Sequence, residues 1–307
     1  MAIIRTIDEL KKTVKINKST PWASLVPYIE DAQRYYLEPY LGSELLESLE
    51  ENPDNSGTKK LLSYAQSALG PLAIALGTHE LSIGLGDSGH TVQRNNDVAP
   101  ASDAKVGKAH DSVEQRGWNN LEHLLGYLEI SGDAFPEWES SSYYLNRNNN
   151  YLNSAREFQD IGKVNINYSR LTFEAIRPVL SQMEVQIRRK ISPALDDELR
   201  QNLDNHEPVR RELINMIRLW EACKTAFLLT SKNTRTQRSQ SNIPEYQPKL
   251  YPLYEDVNES GNYYAGQASY FESVIDGILN DNADTLGIEK RQGLNFNNED
   301  RKIFFAG

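Results

Sequence analysis

The chain has 307 residues, with 33 basic and 43 acidic side chains, a formal net charge of −10 and 39% hydrophobic residues. That apolar share lies below the roughly 45–50% of an ordinary domain, so the core is thin for the length. No stretch approaches the roughly 18–20 uninterrupted apolar residues of a membrane span, and the N-terminus does not read as a signal peptide. A single cysteine, Cys223, excludes an intrachain disulfide and a multi-cysteine zinc site and points to a reducing compartment. The acidic balance argues against general coating of nucleic acid.

Over residues 25–37, Leu25, Ile29, Ala32, Tyr36 and Leu37 recur at three- and four-residue steps, which predicts an amphipathic helix. Pro39 lacks an N–H and clashes with the preceding turn, so the helix is expected to end or kink at Glu38. A short helix over 42–50 is closed by the turn-rich stretch 52–57. Leu61, Leu62, Ala65, Leu69, Leu72, Ala73 and Leu76 mark a second long helix over 58–80, kinked at Gly70-Pro71. A helix over 106–130 and an aromatic, asparagine-rich arm over 135–158 complete the first half.

The second half follows the same order. Ile176, Leu180, Met183, Ile187 and Ile191 form one stripe over 171–191. Leu213, Met216, Ile217, Trp220, Cys223, Ala226 and Phe227 form another over 209–231, before a shorter helix over 269–279 and an aromatic piece over 296–305. Leu37, Pro39, Leu41, Glu44, Leu45 and Leu49 correspond, 154 positions later, to Ile191, Pro193, Leu195, Glu198, Leu199 and Leu203. This self-similarity predicts a duplication, with a first repeat and its arm over 1–157 and a second over 158–307. The expected fold is mainly α: two tandem copies of a small helical bundle with long, extended, aromatic-rich loops. Short extended pieces are expected at 91–93, 163–167 and 249–254.

Chemistry is sparse. His79, His90, His110, His123 and His206 show no HxxxH or HExxH spacing, so no pair faces one metal from adjacent helical turns. The glycines of residues 84–89 lack the Lys-Ser/Thr ending of a phosphate loop. Cys223 sits on an apolar stripe and reads as core. No catalytic residue, metal or cofactor is expected, and the chain does not read as an enzyme; a carboxylate-dependent hydrolase is the competing reading.

Charge and aromatics suggest contacts instead. Glu44, Glu47, Glu50 and Glu51 gather in the first half, while Lys232, Arg235 and Arg238 stand in a segment without acids, and both groups are candidate channel or partner charges. Arg188-Arg189-Lys190 and Arg210-Arg211 make the second helical pair locally basic. Tyrosine favours sites with one buried and one wet end. Subunit contacts are therefore expected at Tyr143, Tyr144, Tyr263, Tyr264 and Phe271, with Phe304 and Phe305 as an anchor into a partner. Tyr36, Tyr40, Leu41, Leu45, Ile191, Leu195 and Leu199 are expected to pack between helices.

The run Ala32-Gln33-Arg34-Tyr35-Tyr36-Leu37-Glu38-Pro39-Tyr40-Leu41-Gly42, followed by Leu45-Leu46, resembles the phage head–tail connector (adaptor) family. More closely, it resembles the larger versions carried by tailed phages of Bacteroidetes, including crAss-like phages. The resemblance covers residues 20–82 and recurs more weakly over 171–231. It implies a structural virion protein of the neck, made in the bacterial cytoplasm, whose copies form a ring, a dodecamer by the family's usual count. Such a ring binds below the portal protein, extends the DNA channel and docks tail or other neck proteins. Viral DNA passes without sequence-specific binding, and no membrane partner is implied. A tail-completion factor is the nearest alternative. The family supplies no catalytic residues.

Overall fold

The computed structural model describes residues 2–16, 20–53, 55–81, 84–86, 89–91, 103–148, 150–201, 203, 206–232 and 257–289. Among these the fold is mainly α, as the periodicity predicts. No helix of the described residues is long and apolar enough to cross a membrane.

The first half begins with a buried leading segment, Ala2, Ile3 and Ile4. Thr6 then starts helix α1 (Ile7–Thr13) through a capping box with Glu9. Thr6 Oγ1 accepts from the Glu9 N–H at 3.2 Å, and Glu9 Oε2 accepts from the Thr6 N–H at 3.3 Å. Helix α2 (Trp22–Ala32) passes into a π-helical turn (Gln33–Leu37) and then α3 (Glu38–Leu41). The break expected at Pro39 takes the form of an element boundary: the π turn ends at Leu37, α3 begins at Glu38 and Pro39 lies in its first turn, where proline is tolerated. The chain breaks again at Gly42, with φ 79° and ψ 157°, before α4 (Ser43–Glu51).

Helix α5 (Lys59–Leu81) runs through Gly70-Pro71. Pro71 offers no N–H to the Ser67 carbonyl one turn back. Asn120 Nδ2 fills that acceptor at 2.7 Å, from helix α6 (Asp103–Ser131), which pairs with α5 along its length. A Cβ at Gly70 would fall 1.9 Å from Thr13 Oγ1, so glycine lets α1 lie close against α5. Between α5 and α6, β1 (Gly84–Gly86) and β2 (Gly89–Thr91) form a small antiparallel ribbon. A 3-10 segment then leads to α7 (Ser142–Leu145).

The second half opens with Tyr151 and Leu152, both buried, and Ser154 caps α8 (Ala155–Asp160). Helix α9 (Arg170–Ile191) breaks at Ser192, with φ 92° and ψ 147°, before α10 (Pro193–Arg200). Helix α11 (Pro208–Lys232) pairs with α12 (Val257–Asp281), and α13 (Ala283–Leu286) closes the described chain. Helix α12 starts well before the expected 269, because Tyr264 and Ala268 extend the buried stripe of Ile275, Ile278 and Leu279. Residues 163–167 are not extended: Lys163, Asn167 and Tyr168 adopt left-handed conformations. The expected piece at 249–254 lies outside the described residues.

Two apolar cores result. One runs from Ala2 to Tyr143 and takes Leu171 from α9; the other begins at Tyr151. The 135–158 stretch is therefore not an extended arm. Phe135, Trp138 and Tyr143 belong to the first core, and Tyr151 and Phe158 to the second. A boundary at 157/158 would cut through α8, whose Ala155 and Phe158 both serve the second core.

Several like backbone features stand at separations other than the expected 154 residues. Pro27 inside α2 and Pro178 inside α9 stand 151 positions apart, and Gly42 and Ser192 stand 150 apart. The one-residue difference is the extra residue taken up by the π turn. In this register the buried residues Leu37, Leu41, Leu45 and Leu49 face Ile187, Ile191, Leu195 and Leu199, all buried as well.

Candidate functional site

Two backbone grips organise the halves. In the first, the Ile3 N–H donates to Gln33 Oε1 at 2.8 Å, and Gln66 Nε2 donates to the Ile3 carbonyl at 2.8 Å. Gln33 Nε2 in turn donates to Glu50 Oε1 at 2.8 Å. In the second, the Tyr151 N–H donates to Glu184 Oε1 at 2.6 Å, and Arg218 Nε donates to the Tyr151 carbonyl at 2.9 Å. Glu184 is paired with Arg200, which lies 4.5 Å over the Tyr151 ring. The second grip is ionic throughout: the Tyr151 hydroxyl and Arg200 Nε donate to Asp196 at 2.8 and 2.9 Å, and Arg188 pairs with Asp196 and Asp197. Burial, and then the Asp196 carboxylate, hold the Tyr151 phenol well above its usual range.

The halves meet where α9 begins. Glu122 on α6 accepts from the backbone N–H groups of Arg170 and Leu171 at 2.5 and 3.1 Å, so a carboxylate covers the start of α9. Arg170 Nε donates to Glu129 at 2.5 Å, and Tyr143 donates to the same carboxylate at 3.1 Å. The turn before α9 is strained to reach this place. Asn167 and Tyr168 have φ of 54° and 52°, a region costing side-chain-bearing residues about 1–2 kcal/mol each. Gln159 Oε1 holds the turn by accepting from the N–H groups of Ile166 and Tyr168 at 3.1 and 2.9 Å. Beside the junction lies a groove of about 570 Å³ lined by Trp118, Glu122, Tyr127, Ile130, Tyr168 and Arg170. Ile130 stands 87% exposed at its edge.

The expected contact residues divide. Tyr143 is buried, stacked on Trp138 at 6.1 Å, and Tyr264 is buried on the α12 stripe; both are core residues rather than the exposed contact residues expected. Their hydroxyl-bearing rings fill space inside the protein and are not available to a neighbour. Tyr144 and Phe271 are half-buried against the first and second cores, and Tyr263 is exposed. Arg235, Arg238, Phe304 and Phe305 lie outside the described residues, as does the Lys232 side chain.

Glu44, Glu47 and Glu51 are exposed on α4, while Glu50 is half-buried in the first grip. Glu47 and Glu50 share a hollow of about 370 Å³ with Glu30, Arg34 and Glu38. The last three come from α2, the π turn and α3, and no local spacing signalled their convergence with α4. The basic cluster of the second half is largely neutralised. Lys190 pairs with Glu272 and Asp276 at 3.1 and 2.9 Å, and Arg210 pairs with Glu198 at 2.7 Å.

Burial pushes the Cys223 thiol up to about 12, so it is neutral near pH 7 and a poor nucleophile. His110, Asp111 and Glu114 converge on one face of α6. Glu114 Oε1 accepts from the Trp118 indole at 3.0 Å.

Residues 7–148 match the profile of a family described as a family of unknown function (DUF6712). The match ends just before Tyr151, where the second core begins. No curated protein and no solved structure matches the chain.

Proposed function

We propose that the chain is a structural, non-enzymatic subunit made of two tandem copies of one helical unit, which begin at residues 2 and 150. Its copies assemble head-to-tail into a ring at the head–tail junction of a tailed phage. In this reading the ring binds the portal protein on one side and tail or other neck proteins on the other, and DNA passes through its channel.

The observation that carries the reading is the joint formed by the segment that resembles the connectors. Residues 32–42 fold as a π turn, α3 and the break at Gly42, which set a long helix against a short amphipathic one. The same break recurs at Ser192, with a matching grip on Tyr151. The joint also leaves Tyr35 and Val185, 150 positions apart, both about half exposed and pointing to solvent. Paired units that present like surfaces at two places suit a heterologous contact, which closes into a ring when the rotation allows.

Charge supports a conduit. Residues 1–149 carry 13 basic and 21 acidic side chains, a net −8, whereas residues 150–307 carry 20 and 22, a net −2. An acidic wall avoids the many phosphate contacts that would hold DNA in place. Native mass spectrometry of the chain, alone and with the portal protein of the same genome, tests the reading. A closed oligomer, free or on the portal, is expected. A monomer that ignores the portal overturns the proposal, and binding to a tail protein alone favours a tail-completion role.

A further inference from the structure

The two grips differ in one buried group. Glu221 on α11 is 1% exposed, and neither of its carboxylate oxygens has a hydrogen-bond donor among the described residues. In the register of the long helices, where Leu61, Leu62 and Ala65 face Leu213, Ile214 and Ile217, the position of Glu221 is held in the first half by Leu69. Gln33 and Gln66 of the first grip likewise stand where the second has Glu184 and Arg218. The first grip thus holds Ile3 through two amides beside an apolar residue, with Glu50 reached only through Gln33, and the second holds Tyr151 through ions beside a carboxyl group.

The geometry points to a single proton shared between Glu184 and Glu221 that makes the grip on Tyr151 dependent on pH, while the matching grip on Ile3 is not. A buried carboxylate with no donor is costly, and two carboxylates within reach of each other do not both ionise. A proton between them satisfies an oxygen on each side and leaves Glu184 Oε1 to accept from the Tyr151 N–H.

The surroundings agree. Burial pushes Glu221 well above the usual carboxylate range, the neighbouring Glu184 pushes the same way, and Arg200 and Arg218 only partly oppose them. Burial raises Glu184 as well, against the pull of Arg200. Asp196 on α10 is committed to Tyr151, Arg188 and Arg200. On α12, burial pushes the Tyr264 phenol up to about 12, so it stays neutral, and Glu272 and Asp276 are held by Lys190.

The sign follows from linkage. An unfolded glutamate ionises near pH 4.3. The shared proton therefore stabilises the closed grip fully below that pH, and this stabilisation is lost as pH rises through the folded value. Between the two values, opening the segment around Tyr151 releases one proton. Its opening constant then rises by up to about tenfold per pH unit.

Hydrogen exchange on the full chain tests this, with rates corrected for intrinsic exchange. Protection of amides 151–158 is expected to fall by up to about tenfold per pH unit above pH 5, while protection of amides 3–10 stays level. Glu221→Gln and Glu221→Leu should both flatten the first profile. The infrared band of a protonated carboxylic acid should be present at neutral pH in the native chain and lost in Glu221→Gln. Absence of that band, its persistence in the variant, or parallel profiles for the two segments overturns the inference. If both variants fail to fold, the band and the paired profiles of the native chain still decide. None of these readouts depends on ring formation.

Discussion

Gly42 and Ser192 hold nearly the same backbone conformation, φ 79° and ψ 157° against φ 92° and ψ 147°, each between a long helix and a short amphipathic one. That region is open to glycine and costs a residue with a Cβ about 1–3 kcal/mol. The first half meets the requirement with glycine. The second carries strain, relieved in part by the Ser192 side chain capping the Leu195 N–H at 3.4 Å.

The two positions should respond in opposite directions. Gly42→Ala places a Cβ 3.1 Å from the Ser141 Cβ in a strained conformation and should cost about 1–3 kcal/mol. Ser192→Gly relieves strain, loses only a few tenths of a kcal/mol of capping and adds chain entropy worth about 0.5–1 kcal/mol. A net gain of up to about 2 kcal/mol is expected from chemical denaturation. Destabilisation by Ser192→Gly would count against the strain argument.

Arg170 ties the halves together through Glu129 and the covered start of α9. Arg170→Ala leaves the partly buried Glu129 with Tyr143 as its remaining donor at that place and should cost about 1–3 kcal/mol. Calorimetry should show the two cores melting farther apart than in the native chain. A single unshifted transition would mean that Arg170 adds nothing to their coupling.

Cys223 should resist thiol reagents in the folded chain. Its thiol is pushed up to about 12 by burial, so raising the pH from 7 to 9 produces little thiolate. Labelling is expected to track unfolding, and fast labelling of native protein at pH 8 would contradict the burial.

Tyr143 and Tyr263 separate packing from contact. Tyr143→Ala removes a buried ring stacked on Trp138 and should destabilise the isolated chain by about 3–5 kcal/mol. Tyr263 is exposed, and its edge contact with Tyr264 is worth about 0.5–1.5 kcal/mol. Tyr263→Ala should therefore cost no more than about 0.5–1.5 kcal/mol, well below Tyr143→Ala, while a role in assembly would appear as a weaker oligomer by sedimentation. Equal losses of stability in both variants would refute this division.

Much of the helical architecture is legible without coordinates. The stripes of Leu25 and Ile29, of Ile176 and Leu180, and of Leu213 and Ile217 fall on buried faces. Helical periodicity is local, and burial acts on it residue by residue. Tyr36, Leu41, Leu45, Ile191, Leu195 and Leu199 are buried, and Tyr40 packs against the first core, for the same reason. The buried character of Cys223 was legible from the stripe that contains it.

The tertiary structure decided what local pattern does not contain. A π turn takes up one extra residue without changing composition, so sequence pattern pairs Pro39 with Pro193, whereas Pro27 and Pro178 are the prolines inside the two long helices α2 and α9. Aromatic segments read as arms became core, because Trp138 and Tyr143 find partners that are distant in sequence, such as Tyr40 and Glu129. Gln33, Gln66, Glu184 and Arg218 look like ordinary polar positions on helices. Their role exists only where Ile3 and Tyr151 return to meet them, over separations of 30 to 67 residues. Periodicity fixes which face of a helix is buried, but only the folded chain brings a backbone segment within hydrogen-bond reach of side chains so far along the sequence.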